Sequence, residues 1–145
     1  MIAIGSDHGG YALKQEVMAF LDSKGIAYRD YGCYTEESCD YPDIAEPVCA
    51  AVVNGEAEKG ILICGTGIGI SMSANKIKGI RAALCSDYYS AKYTRLHNDA
   101  NVICMGGRTV GGGIACELVD VFLHTDFEGG RHQRRVDKVM ALENK

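Results

Sequence analysis

Apolar positions recur along the chain with two different periods, and the alternation between them predicts the architecture. IAIGSD at residues 2–7 is a short apolar run that reads as a buried strand. Leu13, Val17, Phe20 and Leu21 then fall at the i, i+4, i+7, i+8 spacing of a half-buried helix over 11–24, stopped by Gly25. AYRDYG predicts a second strand. Pro42 to Val53 predicts a second helix, with Pro42 in the first turn, where a missing N–H costs nothing, and Gly55 past the end. The pair of patterns then repeats: GILIC with a helix from about Gly69, and IRAALCS with a helix over 88–97. NVICMG is a fifth strand, and 112–123 a helix with Ile114, Leu118 and Phe122 on one stripe. A short amphipathic segment with Val136, Val139 and Met140 closes the chain.

Strands alternating with helices imply a parallel sheet, because parallel neighbours are joined by crossovers long enough to hold a helix, and those crossovers are right-handed. The expectation is a single three-layer α/β domain over 1–145, five parallel strands covered by helices on both faces. Strand order does not follow from the pattern. In open sheets of this kind ligands sit outside the carboxyl ends of the strands. That rule selects Asp7 and His8 after the first strand, Cys64 to Gly69 after the third, and Arg108 after the fifth.

Composition removes several classes of function. With 145 residues there is room for one core and for no second catalytic domain. The 15 Lys and Arg stand against 19 Asp and Glu, so the basic footprint of nucleic-acid binding is missing. No basic segment precedes the apolar start, and no apolar run approaches the roughly 18 residues that span a bilayer, which predicts a cytoplasmic protein without a membrane partner. The seven cysteines (Cys33, Cys39, Cys49, Cys64, Cys85, Cys104 and Cys116) are odd in number, include no C-x-x-C pair and mostly sit in apolar runs. Free, buried thiols fit that distribution; a disulfide framework or zinc ribbon does not. The histidines His8, His97, His124 and His132 have no H-x-x-x-H or other metal spacing, so no metal is expected.

The loop CGTGIGIS, 64–71, admits three readings. A dinucleotide fingerprint needs G-x-G-x-x-G, and Gly65, Gly67 and Gly69 fall one residue short of it, although Asp87 stands about where an acid would hold a ribose hydroxyl. A Walker loop is excluded, since no Gly-Lys-Ser/Thr follows. The third reading is an anion hole: glycines let the amides of Gly65, Thr66, Gly67, Ile68 and Gly69 approach an oxyanion closely. Cys64 directly precedes these amides, which favour a thiolate over a thiol of ordinary pKa about 8.5. Beside an anion hole a thiolate is a base or a nucleophile; the plainer reading of Cys64 is a small core residue.

Two further clusters carry chemistry. In GGRHQRRV, Arg131 and Arg135 are four apart, so on a helix they share a face and can grip a phosphate with forked guanidinium groups, or simply form a solvated face. In RLHNDAN, His97 and Asn98 end the fourth helix, where a histidine is either functional or a favourable cap of the helix dipole.

Taken together, GSDHGG, DYPD, CGTGIGIS, ANK, IRAA, HNDAN and GGRHQRRV occur in an order and spacing that resembles the B-type ribose-5-phosphate isomerases, a family that includes allose and galactose 6-phosphate isomerase relatives. The likeness runs over essentially the whole chain. It implies a Rossmann-like, cofactor-free aldose-ketose isomerase that interconverts the sugar phosphates ribose 5-phosphate and ribulose 5-phosphate, assembled as a homodimer or dimer of dimers. By position it implies Cys64 as the base between C2 and C1, Gly65 to Gly69 as the amides that hold the enediolate oxygens, and His97 as the group that opens the furanose ring, with Asn98 beside it. It further implies Asp7 and His8 as sugar contacts and Arg108, Arg131 and Arg135 as phosphate and substrate contacts. Arg134 has no implied role, and Tyr41 is expected along the pocket wall. Some relatives carry their base as a glutamate one residue past the last loop glycine; that position here is Ile70, so the cysteine branch is the comparison. The C-terminal segment 126–145 is expected to pack on a partner subunit. The nearest alternative is isomerisation of a six-carbon sugar phosphate such as allose or galactose 6-phosphate; a second is a noncatalytic phosphate or nucleotide sensor on the same fold, which makes Asp87 essential.

Overall fold

The computed structural model describes residues 1–145. Its five strands are β1 (Ile2–Ser6), β2 (Tyr28–Asp30), β3 (Lys59–Cys64), β4 (Ala82–Leu84) and β5 (Val102–Gly106). The helices are α1 (Tyr11–Ser23), α2 (Tyr41–Val53), α3 (Ile68–Ala74), α4 (Tyr88–Asn98), α5 (Gly112–His124) and α6 (Arg131–Ala141). All strand pairs are parallel, in the order β2-β1-β3-β5-β4. The three long strands occupy the middle. The two edge strands, three residues each, are shorter than their sequence patterns, because an edge has a ladder on one side only.

The period of two along each strand divides its side chains between two cores. Ile61, Ile63, Ile103 and Met105 join Leu13, Val17 and Leu21 of α1 and Leu118, Val119 and Phe122 of α5 on one face. Leu62, Cys64, Val102 and Cys104 join Ala45, Val48 and Cys49 of α2 and Ile70 and Ala74 of α3 on the other. Both faces are covered, so the central strands read as unbroken apolar runs. Each fully buried Ile or Leu contributes about 1.5–3 kcal/mol relative to exposure.

This topology locates the site. The β1–α1–β2 unit leaves β1 in one direction across the sheet, and β2–α2–β3 crosses back over β1 to its other side. The connections from the neighbours β1 and β3 therefore depart on opposite faces, and a crevice opens between their carboxyl ends. The adjoining segment 31–40 is tied down by Lys14, which is fully buried on α1. Its ammonium donates to both carboxylate oxygens of Asp30, at 2.8 and 3.0 Å, and to the carbonyl of Cys33. Removing Asp30 would leave that ammonium uncompensated, at a cost of about 3–5 kcal/mol.

Candidate active site

At the carboxyl end of the sheet three loops meet. In register, Ser6 pairs with Ile63 and Cys64 with Gly106, so Asp7, Cys64 and Gly106 stand side by side, one inter-strand spacing of about 5 Å apart. The loops are clamped by backbone hydrogen bonds: Asp7 N–H to Ile63 O at 3.1 Å, Gly107 N–H to Cys64 O at 2.8 Å and Arg108 N–H to Gly65 O at 2.9 Å. The buried carboxylate of Asp7 accepts from Gly10 N–H at 3.1 Å. Nδ1 of His8 accepts from Cys39 N–H at 3.2 Å, which leaves Nε2 to carry the ring proton. Arg108 is exposed and lies over Gly65, where an added Cβ would stand 3.0 Å from its Nη1.

Cys64 is buried, 4% exposed, at the foot of the glycine loop, and its sulfur accepts Gly67 N–H at 3.2 Å. Three deeply placed cysteines are held as thiols by their surroundings: burial pushes Cys49 up to about 12 and Cys85 up to about 11, and raises Cys104 well above the ordinary value with help from neighbouring thiols. Around Cys64 the N–H groups of Gly65, Thr66 and Gly69 donate to no protein acceptor, so the loop presents free donors. Two glycines are required for its shape. Gly67 has φ +79°, and a Cβ there would lie 2.5 Å from Leu84 Cδ1 and 2.7 Å from the Met105 carbonyl carbon; a Cβ on Gly69 would strike the Tyr41 ring at 2.6 Å. Tyr41 therefore packs against the loop at Gly69.

The remaining candidates lie elsewhere. α4 begins beyond the carboxyl end of β4 and runs back, so its last turn, carrying His97 and Asn98, stands level with the start of β5. Within one chain, Cys64 and His97 are thus separated by the height of the sheet, roughly 15 Å. His97, Asn98 and Arg135 line a cavity of about 540 Å³ with Arg81, His132 and Val136. α6 is helical, so Arg131 and Arg135 do share a face; Arg131 is exposed in its first turn and does not line that cavity, and Arg134 is exposed. Val136 is buried against the body of the chain, whereas Val139 and Leu142 are exposed.

His97 has neighbours that sequence spacing does not reveal. Its ring stacks on that of His132, centroids 4.1 Å apart and planes 14° from parallel, while Tyr93 meets it edge-on at 5.0 Å. Glu128 places Oε2 3.3 Å from His132 Nε2 and 4.0 Å from His97 Nε2. A sequence signal for Glu128 and His132 existed, their i, i+4 spacing at the entry of α6, but His97 is too distant in sequence to join it. Asp87 is already engaged: it caps α4 by accepting from Ser90 N–H at 2.7 Å and Ser90 Oγ at 2.8 Å, and these bonds hold its carboxyl below the usual range. That is the work of a helix cap, which weighs against a ribose-binding acid.

The family model described as ribose/galactose isomerase matches residues 2–139. Ribose-5-phosphate isomerase B of Escherichia coli is 49% identical over 144 residues, covering 99% of this chain and 97% of that protein. Among solved structures, ribose-5-phosphate isomerase B of Clostridium thermocellum superposes with a TM-score of 0.97 at 50% identity, covering 99% of this chain and 97% of that one. The enzyme of Mycoplasma genitalium with bound ribulose-5-phosphate gives 0.94 at 43% identity, covering 99% and 96%. No helix is long and apolar enough to cross a membrane. A parallel sheet with a cysteine-headed glycine loop at its switch point, matched along nearly its whole length, places this chain in the ribose/galactose isomerase family.

Proposed function

We propose that the protein interconverts D-ribose 5-phosphate and D-ribulose 5-phosphate through an enediolate, in a site completed by two copies of the chain. The observation that carries the chemistry is the Cys64 sulfur, hydrogen-bonded to Gly67 N–H at 3.2 Å, among loop amides that have no protein acceptor. His97 donates a proton to the furanose ring oxygen as the C1 hydroxyl loses one, giving the open aldehyde. Cys64 as thiolate then takes the C2 proton. Charge moves onto oxygen, where the loop amides stabilise it, the largest expected term in such a reaction. The proton returns to C1, the oxygen protons redistribute, and the ketose leaves. The base adds about 10²- to 10⁴-fold. Arg131 and Arg135 bind the phosphate, whose binding energy orients the reacting carbons; Asp7, His8, Asn98 and Arg108 contact the sugar and its phosphate.

The shared site is supported by the separation of Cys64 and His97 within one chain. A two-fold axis perpendicular to the strands at the β4 edge reverses the second sheet, bringing the amino end of one beside the carboxyl end of the other. Ile68, Met72, Leu84 and Tyr88 are exposed along that edge and supply the apolar surface such a contact needs. The tail 126–145 then serves a neighbour's pocket while resting on its own body. Turnover assays on ribose, allose and galactose phosphates in EDTA test the assignment. Ribose 5-phosphate is expected to be the preferred substrate, with activity retained in chelator; no turnover of any of the three would overturn it.

A further inference from the structure

His97, Glu128 and His132 offer two imidazole nitrogens and one carboxylate oxygen, all within 4.8 Å of one another, on α4, on the turn before α6 and in the first turn of α6. We infer that this cluster binds a zinc-class transition ion, and that the ion switches the enzyme off by occupying His97. The second clause rests on the role proposed for His97 above; the first does not.

The geometry is close to what an ion requires. Two ligands about 2.1 Å from a tetrahedral ion stand about 3.4 Å apart, and His132 Nε2 lies 3.3 Å from Glu128 Oε2. His132 is nearly buried, its side chain 9% exposed, so one of the three ligands is already held in place. His97 Nε2 is further off, 4.0 Å from the same oxygen, and its ring lies nearly parallel to that of His132, so its lone pair does not yet point at a common centre. The side chain of His97 is 39% exposed and can turn out of the stack to close the site. A fourth position would remain for water or a substrate oxygen. Two imidazoles and one carboxylate suit zinc, cobalt(II) or nickel(II) and not magnesium or calcium, which take oxygen ligands. Arg135 lines the same cavity and repels a cation. The Glu128 charge is what makes an ion acceptable there, so its removal is the sharper test.

Cobalt(II), a coloured stand-in for zinc, is titrated into the intact protein under a phosphine reductant. The expected result is one ion per chain with visible ligand-field absorption and no sulfur-to-cobalt charge transfer. Glu128→Gln and His132→Asn should each weaken binding at least about tenfold, no less than the loss of a supporting contact costs in metal sites. Strong thiolate charge transfer that disappears in Cys64→Ala, or equal cobalt affinity in both cluster variants, overturns the site. Zinc is then added to two assays, ribose 5-phosphate consumption and isotope exchange at C1 of ribulose 5-phosphate, which has no furanose ring to open. Consumption should fall by about tenfold or more while exchange persists, as removal of a general acid implies. With the ion spectroscopically in place, an equal fall in both assays, or none in either, leaves the metal site standing and overturns the ring-opening role of His97.

Discussion

At the carboxyl end of the sheet the candidate groups are fixed by backbone: Cys64, Gly67 and Asp7 are buried, and strand-to-strand hydrogen bonds and close-packed glycines set their positions. At the amino end they are fixed by other side chains: the ring of His97 rests on those of His132 and Tyr93, and Arg131 and Arg135 project from a tail helix. The difference fits two different tasks. Stabilising a charge that appears only in the transition state calls for donors that need no reorganisation. Admitting a phosphorylated ring, opening it and releasing the product calls for groups that can yield. Backbone-held and side-chain-held groups are separated by about the height of one domain, and the second copy is what reunites them in the arrangement proposed above.

Cys64→Ala breaks the backbone-held half most sharply. It is expected to lower kcat by about 10²- to 10⁴-fold with little change in phosphate affinity, since a base acts in the transition state. Steady-state kinetics with phosphate as competitive inhibitor measures both quantities, and near-normal kcat would remove Cys64 from the mechanism. Iodoacetamide gives a second readout: peptide mapping near neutral pH should find Cys64 alkylated and protected by substrate, with Cys49, Cys85 and Cys104 spared because burial keeps them as thiols.

Those spared thiols give the next effect, on stability. Their folded pKa values are raised, to about 12 for Cys49 and about 11 for Cys85, so above about pH 9 the unfolded chain loses protons that the folded one retains. Stability from this source is intact below pH 8 and falls as pH rises through 9 to 11. The slope is about 1 kcal/mol per pH unit for each lagging thiol. Urea unfolding at pH 8, 9 and 10 should show the decline, and Cys49→Ala should flatten it. A curve unchanged by that substitution would argue that other groups set the alkaline limit.

Arg131→Ala and Arg135→Ala probe the half held by side chains. In the proposed role each would remove a charge-assisted contact worth about 1.5–3 kcal/mol to a group bound throughout the reaction, so KM should rise about 10-fold or more with kcat largely kept. Calorimetry with inorganic phosphate should register the same loss. Arg134→Ala, changing an exposed residue without a partner, should do little.

The same division marks what could be read from the sequence. The backbone-held half was legible because local rules compose it: strand runs end at residues 6, 64 and 106, ligands collect beyond such ends, and glycines at 65, 67 and 69 announce a close backbone approach. The clamp of Lys14 on Asp30 and Cys33 was not, since nothing in the period of α1 distinguishes a buried lysine from a solvated one. In the other half, the i, i+4 arginines were visible, but the meeting of His97 with Glu128 and His132 depends on how the tail folds back onto α4. Strand order needed tertiary structure too. Only family resemblance joined His97 to Cys64, because crossover helices carry their last residues away from the carboxyl ends where Cys64 sits.

The two halves can be separated by mixing. Cys64→Ala and His97→Ala homodimers each have the same lesion in both pockets. If one chain supplies the cysteine and its partner the histidine, a mixed dimer has one doubly damaged pocket and one intact pocket. Random re-pairing of equal amounts makes half of the dimers mixed, each with half of its pockets restored, so about a quarter of parental activity should return in a two-fold symmetric assembly. If both residues of a pocket came from one chain, every pocket would keep a lesion and nothing would return. The roughly 15 Å between Cys64 and His97 along the strand direction makes the first outcome the expected one, because a five-carbon sugar phosphate does not span the height of a five-residue strand. Mass spectrometry of the mixture establishes that subunits have exchanged. With exchange complete, absent activity would reject the shared pocket and require α4 to rearrange within one chain, leaving the assignment of Cys64 as base to stand on its own kinetics.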